Sequence, residues 1–250
     1  MVSLVMLSSV MRKFRQKSEK LFKGRHYEAL IILQAVLWYL RYPLSYRNIE
    51  EMFKERGFEV DHATINRWVL FYAPLLEKAV RHFKKPHCGS VRIDETYVKI
   101  RGKWRYLYRA IDKYGTPIDF MLSAKRDLDA AKRFFRKCFK NEGLFAPDRI
   151  GTDGDKSLIG AVNEGMNTQL FPANTKHYIT KYLQQRIESD QFRVKIPMPR
   201  IGGFQTFQTA RKTIQGIEAA LWLKKGMGTS KWSIHKQNEV VHLCLGLKMG

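Results

Sequence analysis

Cysteine is nearly absent from this sequence: Cys88, Cys138 and Cys244 are the only three in 250 residues, and no two form a C-x-x-C pair. An odd, scattered set excludes a disulfide framework and indicates a reducing compartment. His82 and His87 lie near Cys88, but no second ligand pair at finger-like spacing follows, so no zinc site is completed. The stretch 81–87 reads instead as a solvated basic linker. Long hydrophobic runs are also missing. The longest, Ala29–Leu40, is 12 residues, whereas a helix needs about 20 to span a bilayer. The apolar start Met1–Leu7 precedes its positive charges (Arg12, Lys13, Arg15, Lys17), the reverse of a secretory signal. A cytoplasmic protein with no membrane partner is expected. Acidic residues are scarce, 23 against 45 Lys and Arg, giving a net charge of +22. The positive charges are spread along the chain, as a long polyanion footprint requires.

What is present falls into two textures. Residues 27–42 read as a buried helix stopped by Pro43. Ser45 is suited to cap a second helix with Ile49, Met52 and Phe53 on its apolar face, and Gly57 to stop it. Asp61 then caps a third, with Ile65, Trp68 and Val69 at the same spacing. This is a helix-turn-helix pattern, whose last helix enters the DNA major groove. Its outward residues His62, Thr64, Asn66 and Arg67 can bond base edges or phosphates.

After Pro86 the period becomes that of strands. Val91–Ile100, Trp104–Ile111 and Pro117–Ser123, joined by turns at 101–103 and 113–115, predict an antiparallel meander. Asp127 caps a helix with Ala131, Phe134, Phe135, Cys138 and Phe139 on one face. A short strand ending at Asp153, a helix over 157–164 and a strand over 175–179 follow. The order βββαβαβα predicts an α/β fold, an RNase-H-like domain of the retroviral-integrase type with a mixed five-stranded sheet. The expected divisions are a basic extension 1–21, a helical DNA-binding domain 22–85, a catalytic domain 86–226 and a tail 227–250.

That order gives meaning to three acids. Asp94 lies within the first strand and Asp153 at the end of the fourth, beside it. Glu188 follows with thirty-four residues between, on a helix leading to the same edge. Three carboxylates on separate elements can hold two Mg²⁺ ions against a phosphodiester, because Mg²⁺ takes hard oxygen ligands and keeps water positions open. Mn²⁺ is the ion that could replace it. Glu95 faces the opposite side from Asp94 and cannot share its site. Asp155 is a rival to Asp153 as ligand. Lys195, two turns past Glu188, and Lys99, on the strand with Asp94, are candidate DNA contacts, and Pro197 ends any helix soon after Lys195. Tyr97 accompanies Lys99. Asp112 reads as a turn residue and Glu218 as a helix-surface charge.

The same residues resemble the transposases of the IS6 family of insertion sequences, the IS26-type and IS240-type group. The resemblance covers roughly residues 22–226. It rests on Val60-Asp-His-Ala-Thr-Ile-Asn-Arg-Trp68, Asp94-Glu-Thr-Tyr-Val-Lys99, Tyr106-Leu-Tyr-Arg-Ala-Ile-Asp112, Thr152-Asp153, Ile187-Glu188 and Ile214-Gln-Gly-Ile-Glu218. It implies a prokaryotic, nucleoid-associated DDE transposase in which Asp94, Asp153 and Glu188 bind the two ions. Such an enzyme nicks at terminal inverted repeats, attacks target DNA with the freed 3′-hydroxyl, and works as a homodimer or larger synaptic assembly on double-stranded DNA. Two other functions use the same residues: a catalytically impaired relative that only binds the repeats, and an RNase-H-like nuclease without strand transfer. The family usually has Thr-Asp-Lys where this chain has Thr152-Asp-Gly-Asp-Lys156.

Overall fold

The computed structural model describes residues 21–81, 83, 89–139, 147–172, 174–179, 203–226 and 231–247. By its internal contacts the chain divides into two units, residues 85–211 and the segments 1–84 and 212–250 taken together.

In the helical unit, α1 (Ala29–Arg41) buries Ile32, Leu33, Val36, Leu37 and Leu40. Helix α2 (Tyr46–Lys54) starts at Ser45, whose side chain accepts from the Asn48 N–H while the Asn48 side chain accepts from the Ser45 N–H. It stops at Gly57, at φ +76°, with Phe58 N–H bonded to the Phe53 carbonyl and Gly57 N–H to that of Lys54. This closing pattern satisfies carbonyls that the helix end would orphan. Helix α3 (His62–Arg81) begins at Asp61, whose carboxylate accepts from the Ala63 and Thr64 N–H groups. It runs through Pro74 and buries Ile65, Trp68 and Val69. Both α1 and α2 pack on α3.

The segment expected to be a tail holds a further helix, Ile234–Cys244, capped by Ser233 and packed against α3. Before it lies the helix Phe207–Lys224. Glu218, expected on a helix surface, is 7% exposed there. An ideal Cβ at Gly216 would come within 2.5 Å of the Ala73 Cβ and 2.7 Å of a Leu40 methyl, so only glycine allows this approach to α1 and α3.

The second unit is built on a five-stranded sheet. Its strands are β1 (Ser90–Ile100), β2 (Lys103–Asp112), β3 (Pro117–Ser123), β4 (Arg149–Thr152) and β5 (Lys176–Ile179). Their order across the sheet is β3-β2-β1-β4-β5. The first three form an antiparallel meander, while β4 runs parallel to β1 and β5 parallel to β4. The β1–β2 turn places Arg101 at φ 49° and Gly102 at φ 73°, the double left-handed turn whose twist suits a two-residue hairpin. Asp112 does act as a turn residue: its buried carboxylate accepts from the Tyr114 and Thr116 N–H groups.

Helices α4 (Leu128–Phe139) and α5 (Lys156–Asn167) pack together over one face. The core between them and the sheet comprises Val91, Ile93, Tyr108, Ala110 and Ile150 from strands, Phe134 and Phe135 from α4, and Leu158 and Val162 from α5. Full burial of each large apolar side chain contributes about 1.5–3 kcal/mol, which is what makes this order of strands and helices cohere. An antiparallel meander followed by two parallel strands, with helices in the crossovers, is the RNase-H-like topology. In chain order, the helices Phe207–Lys224 and Ile234–Cys244 are α6 and α7. No helix among the described residues is long and apolar enough to cross a membrane.

Candidate active site

The central strand β1 carries Asp94 and Glu95 on opposite faces. Asp94 is 6% exposed, opposite Arg109 of β2, which is itself fully buried. Directly opposed residues of an antiparallel pair share a face, so the guanidinium and the carboxylate lie on one side of the sheet. The Asp94 Oδ1 accepts the Glu95 N–H at 2.7 Å.

Strand β4 lies parallel to β1 in the register Ser90↔Arg149, Val91↔Ile150 and Arg92↔Gly151. Carried two residues further, this register brings Asp153, the first residue past β4, level with Asp94. Neighbouring strands run about 4.8 Å apart. Asp153 Oδ1 accepts the Asp155 N–H at 3.1 Å across a turn at Gly154. Gly154 sits at φ +89°, where an ideal Cβ would be 3.1 Å from an Ile179 methyl.

Asp155, the rival ligand, is engaged elsewhere. It is the N-cap of α5, accepting from the N–H groups of Ser157 and Leu158, and it pairs with Arg126 at 2.9 Å. Burial would raise its carboxyl, but the Ser157 hydroxyl and N–H, together with Arg126, hold it below the ordinary aspartate range. Arg126 also pairs with Glu95 at 2.8 Å. The Glu95 side chain is 2% exposed, and burial pushes its carboxyl above the ordinary glutamate range against the pull of Arg126. Sequence reading missed this arginine, because an ion pair joining residues 31 apart leaves no local period.

The third expected acid, Glu188, lies outside the described residues, as does Lys195. Among the described residues no three His, Cys, Asp or Glu come together as a metal cluster. Asp94 and Asp153 are hard-oxygen donors on adjoining strands, and this chemistry fits Mg²⁺ or Mn²⁺. Lys99 lies five residues from Asp94, hence on the opposite face, with its ammonium 5.8 Å from the exposed Trp104 ring. Of the α3 residues, His62 and Arg67 are exposed. His62 Nδ1 meets Glu50 at 2.8 Å, and Arg67 donates to the Thr64 hydroxyl at 2.7 Å, which in turn donates to Asp61. Asn66 is half-buried.

Residues 88–227 match the family model DDE_Tnp_IS240, a DDE domain. The chain is 38% identical over 204 residues to the transposase for insertion sequence-like element IS431mec of Staphylococcus aureus (strain N315), covering 82% of this chain and 88% of that one. The transposase for insertion sequence element IS257 in transposon Tn4003, also of Staphylococcus aureus, is equally similar over the same shares. Among solved structures, the HTLV-2 integrase catalytic core domain in complex with magnesium (dimeric form) is 15% identical. It covers 64% of this chain and 97% of that one, with a TM-score of 0.37. The RNase-H-like assignment rests on strand order and direction. With its sequence matches, the chain is a DDE-type transposase, an enzyme that cuts and transfers DNA strands. It belongs to the IS6 family of insertion-sequence transposases.

Proposed function

We propose that this protein binds the terminal inverted repeats of an insertion sequence and joins their 3′ ends to target DNA, with Asp94, Asp153 and Glu188 holding two Mg²⁺ ions. The observation that carries this reading is a buried Asp94 on β1, with Asp153 directly after β4, the strand that runs parallel beside it. The employment of Asp155 as cap and ion-pair partner supports Asp153 as the second ligand. When bound, the ions supply Lewis acidity that activates the attacking oxygen and stabilises the leaving one. The aspartates would fix the ions against a rigid sheet, so the scissile phosphate is held in line rather than searched for. Mn²⁺ would satisfy the same oxygen donors.

Helices α2 and α3 would form the helix-turn-helix that reads the repeats, with Arg67 as its most available contact and His62, Thr64 and Asn66 beside it. Lys99 and Lys195 would contact the DNA backbone. Synapsis of two element ends requires at least two copies of the chain at once, hence a homodimer or larger assembly.

The test is strand transfer by purified protein with Mg²⁺, a labelled precut repeat-end duplex and a supercoiled target. Joined product is expected from the wild type. Asp94→Asn and Glu188→Gln are expected to lose joining by about a hundred- to a thousandfold while retaining end binding, since transition-state charge stabilisation is what they remove. Tight end binding without joining by the wild type would identify a DNA-binding relative instead. Cleavage without joining would identify a nuclease.

A further inference from the structure

One guanidinium stands behind both aspartates. Arg126 lies in the loop between β3 and α4, where Asp127 caps α4 by accepting the Ala130 N–H at 2.8 Å. From there its Nε reaches Glu95 Oε1 at 2.8 Å and its Nη2 reaches Asp155 Oδ2 at 2.9 Å. Its Nη1 lies 3.5 Å from the Tyr97 hydroxyl. The two residues it grips are the same two whose backbone N–H groups bond the candidate ligands. Glu95 N–H meets Asp94 Oδ1 at 2.7 Å, and Asp155 N–H meets Asp153 Oδ1 at 3.1 Å. A planar guanidinium within ion-pair distance of two carboxylates draws both toward one fixed, delocalised charge. Here it ties the centre of β1 to the turn after β4.

We infer that Arg126 is a positioning residue. By holding Glu95 and Asp155 together it fixes the two N–H groups that orient the Asp94 and Asp153 carboxylates, and so sets the divalent-cation affinity of the site. This rests on the proposed reading of the two aspartates as ligands. Partners one shell out from a metal commonly control its affinity by about 10–100-fold. The clamp acts from the helix-covered face, without touching the phosphodiester.

The experiment is a Mn²⁺ titration of the full chain without DNA, followed by the electron paramagnetic resonance signal of free Mn²⁺. Thermal unfolding without metal is measured alongside. Wild type is expected to bind, and Asp94→Asn to bind far more weakly. Arg126→Gln is expected to lose affinity by about tenfold or more, and its strand transfer to recover toward wild type at saturating Mn²⁺. Arg126→Lys should fall between them. Asp155→Asn keeps an oxygen for the α5 cap but loses the ion pair, so it decides the matter if Arg126→Gln fails to fold. Its loss should match that of Arg126→Gln, and the double variant should be no worse than either single one. Wild-type Mn²⁺ affinity in the folded single variants, or additive losses, would overturn the role of Arg126 alone. No Mn²⁺ binding by the wild type, or undiminished binding by Asp94→Asn, would overturn the ligand assignment and this inference with it.

Discussion

Gly154 separates Asp153 from Asp155, the α5 cap, and holds a backbone conformation that L side chains rarely adopt. At φ +89° an L side chain is strained, by about 1–2 kcal/mol in the left-handed region, and the nearby Ile179 methyl allows little relief. Gly154→Ala is therefore expected to lower unfolding free energy by about 1–2 kcal/mol in urea titrations and to weaken Mn²⁺ binding. Unchanged stability would show that the turn re-forms without a left-handed residue. At this scale the sequence was legible where side-chain alternation governs: Asp94 and Glu95 part to opposite faces as strand geometry dictates. It was ambiguous at Asp155, because a helix cap and a metal ligand draw on the same residue type; the structure shows the cap and the Arg126 pair.

Strand β4 is four residues long and Asp153 follows it directly, so its pairing with β5 sets where that residue begins. One bond between them is Thr152 Oγ1 with His177 Nε2, at 2.9 Å. Burial lowers the His177 pKa below its ordinary value. The neutral ring is thus favoured in the fold. Above about pH 6.5 both folded and unfolded forms are neutral and the contribution is complete. As pH falls below that, the unfolded chain takes up the proton first, and stability is lost until the folded pKa is passed. The melting temperature of the wild type should fall between pH 7.5 and pH 5, and His177→Asn should flatten part of that slope. An identical slope in the variant would assign the loss to other groups, such as His242, whose pKa burial and Arg41 also lower.

Elements with sharp local signals were legible here. The meander was bounded within a residue or two because Gly102 and Gly115 mark its turns, and Ser45, Asp61 and Asp127 all cap as expected. The helix at Ile234–Cys244 was missed, because its stability comes from packing against distant α3 rather than from its own period. Helix α3 continues through Pro74, where local preference alone would end it.

For the whole molecule, the net charge of +22 is the largest unspent quantity. Like charges repel within a compact chain, and a fold that tolerates such an excess is suited to meeting a polyanion. The excess is spread along the sequence rather than confined to α2 and α3, so a DNA footprint extending beyond the helix proposed to read the repeats is expected. Each phosphate neutralised releases condensed counterions, giving a slope of about −0.9 in log affinity against log salt per contact. With six or more contacts, repeat-end affinity measured by fluorescence anisotropy should drop at least about a thousandfold between 50 and 200 mM KCl. Arg67→Ala should reduce that slope by about one if it meets a phosphate, leaving sequence preference intact. If it reads a base edge instead, the slope should hold while discrimination between repeat and scrambled duplex falls by about 1–3 kcal/mol. A wild-type slope corresponding to only one or two phosphates would mean that most of the positive charge is directed at something other than the bound end.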